Sequence, residues 1–401
     1  MTESSLSAGL PRAARFATWS FFALNGFAVG MWVVHIPVVE RATGISHTTL
    51  GALLLVLGGA AFVGMQVSGP LADRFGHRRV VPAAGVLLGL ALFLPGLATS
   101  WWALGLSLVV FGFFNGSLDV AMNAQAVVVE RAYPRPIMAA FHAMWSIGGA
   151  LAAVVGAAVL GTGIPTAVTL SATGALCVVA SLAAGRLLLD SGRGEPETET
   201  GTGPAPVTPS RTPSRVVWLL GALAFALMLA EGVANDWAAL HLQDVLGTSA
   251  STAALAYGSF AVAMTVGRFA TDRVAALAGP VAVVRYGSAL AAVGLATASL
   301  SPWAPLALVG WAIFGLGLAG GVPQLFTAAG NLDTRASGAL MARVVGLGYV
   351  GLLAGPALIG GLTRWMPLNV AFAVPFALCV AAVVAAPVIA PRQVREPAEV
   401  G

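Results

Sequence analysis

Asn115, Asp119 and Asn123 recur at every fourth position in the run NGSLDVAMN, inside a segment (102–127) that otherwise carries no charge. On a helix this spacing puts the three side chains on one face, about 6 Å apart per step along the axis. They form one polar stripe. An ionisable group in an apolar slab is costly and by default faces a cavity. An acid so placed can load a proton from one side and release it to the other as the cavity opens alternately. The competing reading is a structural acid satisfied by an Asn or hydroxyl of a neighbouring helix.

A second constellation lies in Glu231-Gly232-Val233-Ala234-Asn235-Asp236-Trp237. Glu231 and Asn235 share a helix face, whereas Asp236 points about 100° away. Counted from Arg215, Glu231 falls somewhat beyond the middle of its segment and Asp236 nearer the far end. Glu231 and Asn235 are expected to meet substrate or a proton, and Asp236 either to join them or to serve as a solvated gate or helix-end anchor. His142 and Trp145, at i and i+3, offer an imidazole and a stacking surface to a polar ring; packing is the alternative. Asn25 and Gln324 are uncharged and serve equally well as cavity ligands or as bonds between helices, and Gln66 is a weaker candidate.

The elements that must position these groups follow from composition. The 401 residues are 58% hydrophobic and 9% charged, against about 25% charged in ordinary globular chains. A water-soluble fold is excluded. A bilayer-crossing helix needs roughly 20 apolar residues, and twelve segments qualify: 16–39, 48–71, 80–98, 102–127, 137–160, 165–187, 216–242, 250–271, 281–299, 303–327, 338–362 and 367–389. Arg12 and Arg15 precede the first without a small-residue cleavage site, so it is expected to remain as an anchor. Residues 188–215 are rich in Pro, Gly, Ser, Thr and acids, with no apolar face to bury. They are expected to be a solvated, disordered cytoplasmic linker. This leaves an N-terminal six-helix bundle (1–187) and a C-terminal one (216–401), the arrangement of two parallel repeats.

Every basic residue is Arg, and eighteen of them fall at alternate loops and helix ends, with only Arg41 and Arg364 on the other side. The positive-inside rule then puts both termini and the linker in the cytoplasm. The halves echo each other: Asn25-Gly26 and His35 stand at the same offset as Glu231-Gly232 and His241, and Trp32 matches Trp237 with one residue of slippage.

Between the second and third segments the chain reads Gly69-Pro70-Leu71-Ala72-Asp73-Arg74-Phe75-Gly76-His77-Arg78-Arg79, and Gly267-Arg268-Phe269-Ala270-Thr271-Asp272-Arg273 occupies the matching junction of the second half. The first resembles the loop signature of the major facilitator superfamily. The resemblance implies an all-α membrane fold of twelve helices in two repeats around a central cavity. It also implies a gating loop in which Gly69 permits close helix approach and Asp73 and Asp272 pair with Arg74, Arg78, Arg79, Arg268 and Arg273 beside Gly76. The helix-4 stripe looks like the acid-x-x-x-Asn pattern of fucose/proton symporters, although Ala124 and Val33 stand where that family has Pro and an acid. The run Glu231–Trp237 looks like the MosC-like branch, tied to loci for rhizopine, an inositol derivative. Gly351, Gly355-Pro356 and Gly360-Gly361 resemble an antiporter signature, displaced from its usual helix.

The expectation is a secondary transporter of a small polar solute such as a sugar or cyclitol, coupled to protons. The alternative is a proton antiporter exporting amphipathic metabolites or drugs. An enzyme is disfavoured: no His/Cys cluster, phosphate-binding loop or dinucleotide turn is present, and a sensor's output domain has no room in the linker or tails. No cofactor, metal or nucleic-acid partner is expected. Cys177 and Cys379 sit in apolar runs as small hydrophobes. The chain is expected to act as a monomer in the lipid bilayer of a bacterial inner membrane.

Overall fold

The computed structural model describes residues 3–130, 132–133, 137–189, 214–330, 332 and 337–390. The proposed linker lies outside these apart from its first two and last two positions. Among the described residues, twelve helices are long and apolar enough to span a membrane. They are α1 (Glu3–Thr43), α2 (His47–Phe75), α3 (His77–Leu97), α4 (Trp101–Glu130), α5 (Met138–Gly161), α6 (Thr166–Gly185), α7 (Ser214–Leu240), α8 (Ala250–Ala278), α9 (Pro280–Leu300), α10 (Ala304–Ala329), α11 (Ser337–Leu362) and α12 (Leu368–Ile389).

Three differ from the uninterrupted segments that hydropathy gives. Helix α10 breaks between Leu318 and Gly321, where consecutive small residues leave the backbone weakly held. Helix α12 is interrupted at Phe372, and α7 runs on into a π turn, His241–Val245. Apolar runs report span but not breaks made of apolar residues.

The two halves repeat at the level of local chemistry. Ser46 caps α2 by accepting from Thr49 N, and Ser249 caps α8 from Thr252 N, each at 3.2 Å. Both α2–α3 and α8–α9 turn on a glycine with positive φ, Gly76 at 84° and Gly279 at 82°, a conformation costly for residues with a Cβ. Gly26 packs against the Trp145 carbonyl of α5, and Gly232 against the Leu352 carbonyl of α11. Small residues at these crossings let backbones touch, which in lipid replaces a hydrophobic driving force.

The halves meet along α2 with α11 and α5 with α8. Thr48 Oγ1 donates to Gly360 O at 2.7 Å, and Ser251 Oγ to Ala157 O at 2.6 Å. A Cβ on Gly51 of α2 would come within 2.6 Å of Pro356 O, and one on Gly360 of α11 within 2.5 Å of His47 O, so these two glycines form a seam between the halves. These contacts gather at the end opposite the Arg-rich face, and that end is sealed.

At the Arg-rich end the described side chains of the gating-loop motif are mostly exposed. Among the described residues a Cβ on Gly69 would meet nothing within 4 Å, and the hydrogen bonds between the halves lie towards the other end. Arg74, Arg78, Arg79 and Arg273 are exposed. Arg74 stacks on Phe75 with its guanidinium 5.3 Å from the ring centre, and Arg78 reaches Arg186 O at 3.4 Å. The side chains of Asp73 and Asp272 lie outside the described residues.

Candidate functional site

The polar stripe of α4 divides into two parts. Asn115 Oδ1 accepts from Asn25 Nδ2 at 2.9 Å, and Asn25 Oδ1 accepts from Trp145 Nε1 at 2.7 Å. This ties α1, α4 and α5 together. Asn25 is 2% exposed with both ends of its amide occupied, so its place is that of a brace rather than a free ligand.

One turn further, Asn123 Nδ2 donates to the Asp119 backbone carbonyl at 2.8 Å and to Asp119 Oδ1 at 3.3 Å. The amide therefore holds the carboxylate's rotamer from within its own helix. Trp145 keeps a half-buried indole face near this network, while His142, three residues earlier, is exposed and meets the Phe22 ring edge-on at 5.4 Å between centroids.

In the second half Glu231 does not stand free. Arg268 Nη2 lies 3.1 Å from Glu231 Oε1, with 39% of the Arg and 20% of the Glu side chain accessible. Arg268 thus reaches inward to an acid of α7. Arg268 sits within α8, nearly three turns short of its end at Ala278, and among the described residues its carboxylate partner is Glu231 of α7. Asn235 and Asp236 are half-buried one turn beyond Glu231, and Gln324 is half-buried on the short second part of α10.

The two sets face each other. Tyr349, 45% exposed on α11, lies within electrostatic range of both Asp119 and Glu231, and His142 within range of Arg268. Buried Tyr257 of α8 is in range of Asp236 and Glu231. Asp119, His142, Glu231, Arg268 and Tyr349 are therefore within electrostatic reach of one another across the halves, a set of groups that can hold a polar solute, shuttle a proton and neutralise either. The sequence reading missed Tyr349 and the pairing of Arg268 with Glu231; a charge one turn inside an apolar segment was the available signal. Grooves on the outer surface are of another kind: one between α9 and α12 is lined by Ala289, Val293, Leu300, Phe376 and Val380, with no charged group.

Residues 18–332 match the model of the Major Facilitator Superfamily. The chain belongs to this superfamily. Its curated relatives include an uncharacterised MFS-type transporter of Yersinia pestis, 36% identical over 88% of this chain and 89% of that protein. The membrane protein MosC of Rhizobium meliloti is 31% identical over 87% of this chain and 83% of its own. Among solved structures, a nucleoside transporter, NupG, superposes with a TM-score of 0.75 at 14% identity, covering 93% of this chain and 99% of that one. A bacterial homologue of the human lysosomal transporter Spinster, inward-facing and occupied, gives 0.68 at 17% identity, covering 97% of both. As a superfamily member the chain is a multi-pass membrane transporter and not an enzyme.

Proposed function

We propose that this protein moves a small polar organic solute, sugar- or cyclitol-like, through the central cavity by alternating access, driven by protons carried on Asp119. The observation that carries this reading is that Asp119 of the first half and the ion-paired Glu231 of the second both lie within electrostatic range of Tyr349. Amides, an ion pair and a phenol offer donors and acceptors to hydroxyl groups, while Trp145 supplies a face for a ring. Glu231, Arg268 and Asn235 bind the solute; Asp236, His142 and Gln324 border it; Asn25 and Asn115 hold the scaffold behind it.

On this reading the Arg-rich end lies in the cytoplasm with both termini and the linker, in a bacterial inner membrane, and the sealed end faces outward. The halves, 1–187 and 216–401, rock as units. The gating loop of Asp73, Asp272 and the adjacent arginines closes in the opposite state, when the inner ends meet and Gly69 finds a neighbour.

The test is counterflow in proteoliposomes under an imposed pH gradient, over a panel of sugars, cyclitols and amphipathic cations. Exchange of a sugar or cyclitol supports the proposal. Exchange of amphipathic cations alone would replace it with drug or metabolite antiport.

A further inference from the structure

Three helix ends converge at the sealed end. Glu40 and Arg41 lie in the last turn of α1, His47 begins α2, and Asp244 sits in the π turn that closes α7. His47 Nδ1 is 2.6 Å from Glu40 Oε1, and its Nε2 is 3.4 Å from Asp244 Oδ2. Arg41 donates to Asp244 Oδ1 at 3.0 Å, and the Gln243 amide oxygen, turned towards the same guanidinium, accepts from it. The Trp237 ring meets His47 edge-on, 5.5 Å between centroids. Glu40 is only 6% accessible and His47 26%, so the inner part of the cluster is shielded from water.

Glu40, Arg41 and His47 belong to the first half, and Gln243 and Asp244 to the second. The π turn is what makes the meeting possible: it widens the end of α7 and carries Asp244 across to α1 and α2.

The decisive feature is that one imidazole ring stands between two carboxylates. A neutral imidazole has one N–H and one lone pair; it can satisfy one carboxylate but must set its lone pair against the other. An imidazolium donates to both. With the proton in place, His47 joins Glu40 to Asp244 across the halves, and two cations, Arg41 and His47, balance two anions. The same three side chains offer ligand atoms within 4.8 Å of one another, a donor set that zinc accepts. A metal, however, takes one nitrogen of a ring, and here the carboxylates occupy opposite nitrogens, an arrangement that suits a proton.

We propose that Glu40, Arg41, His47 and Asp244 are the latch of the sealed mouth, and that the proton on His47 sets how firmly it holds. Acidity favours the sealed state. The idea rests on alternating access and is independent of Asp119 as the coupling acid.

The test uses the full chain in nanodiscs with spin labels at Thr162→Cys and Trp365→Cys, exposed positions at the sealed end of opposite halves. Cys177 and Cys379 are buried and do not compete for label. Between pH 8 and pH 5 the short-distance population is expected to gain at least about threefold over the long one, the range in which an imidazole titrates. His47→Gln should abolish that dependence. Asp244→Asn, a second route should His47→Gln fail to fold, should lower the sealed population and flatten the response. An unchanged distribution from pH 5 to pH 8, or a wild-type response kept in His47→Gln, overturns the latch. So does a response lost in Asp119→Asn yet kept in His47→Gln, which would assign the proton to the cavity. Closure by zinc ions at pH 8 without closure by protons would also overturn it, in favour of a metal.

Discussion

At the same offset in the two repeats stand Asn25-Gly26 on α1 and Glu231-Gly232 on α7. The glycines do the same work, letting Trp145 of α5 and Leu352 of α11 bring their backbones into contact. The residues before them do different work. Asn25 is buried and consumed by two hydrogen bonds within its own half, whereas Glu231 is held by Arg268 and stays open to the cavity. The repeat supplies scaffold, and one position exchanged between amide and acid turns a fully bonded brace into a partly open ion pair. Charge is correspondingly divided: the first half offers the cavity an acid held by an amide, the second an ion pair.

The comparison breaks most severely at the shared glycines. Gly26→Ala and Gly232→Ala each drive a methyl into backbone that has nowhere to retreat, and each is expected to lose about 3 kcal/mol of stability, read as a lower melting temperature in detergent. Next comes the ion pair. Glu231→Gln should lower transport by at least about tenfold, equivalent to ~1.4 kcal/mol, and so should Arg268→Gln. Because both side chains are partly open to water, a double-mutant cycle on transport should return a coupling of about 1 kcal/mol. Asn25→Ala leaves the Trp145 indole and the Asn115 amide without their partner and should cost ~1 kcal/mol of stability, with the solute affinity little changed. Gly69→Ala, in open space, should stay within about 0.5 kcal/mol of wild type.

The twelve spans were legible because lipid demands long apolar runs, and the division of Arg between alternate ends marked which ends lie together. The break in α10 was hidden because Leu318, Ala319, Gly320 and Gly321 are themselves apolar or small. For the site, Asp119, Asn123 and Glu231 stood out as polar groups in apolar surroundings. Their partnerships did not: Asn25 meets Asn115 across 90 residues of chain and Arg268 meets Glu231 across 37, and no local spacing encodes such pairs. Tyr349 carried no signal of its own, since an aromatic with a polar tip is ordinary in an apolar run. Glu40, His47 and Asp244 were hidden for a further reason, since charges at helix ends resemble ordinary solvated caps until the π turn of α7 brings the ends together.

The central claim, that the acid of the first half carries the driving proton while the pair of the second half holds the solute, is tested most directly by solute-dependent proton flux in proteoliposomes, comparing wild type, Asp119→Asn and Glu231→Gln. The account predicts that Asp119→Asn abolishes proton movement yet still exchanges solute, and that Glu231→Gln weakens solute exchange and proton flux together. Proton flux of wild-type size in Asp119→Asn would contradict it.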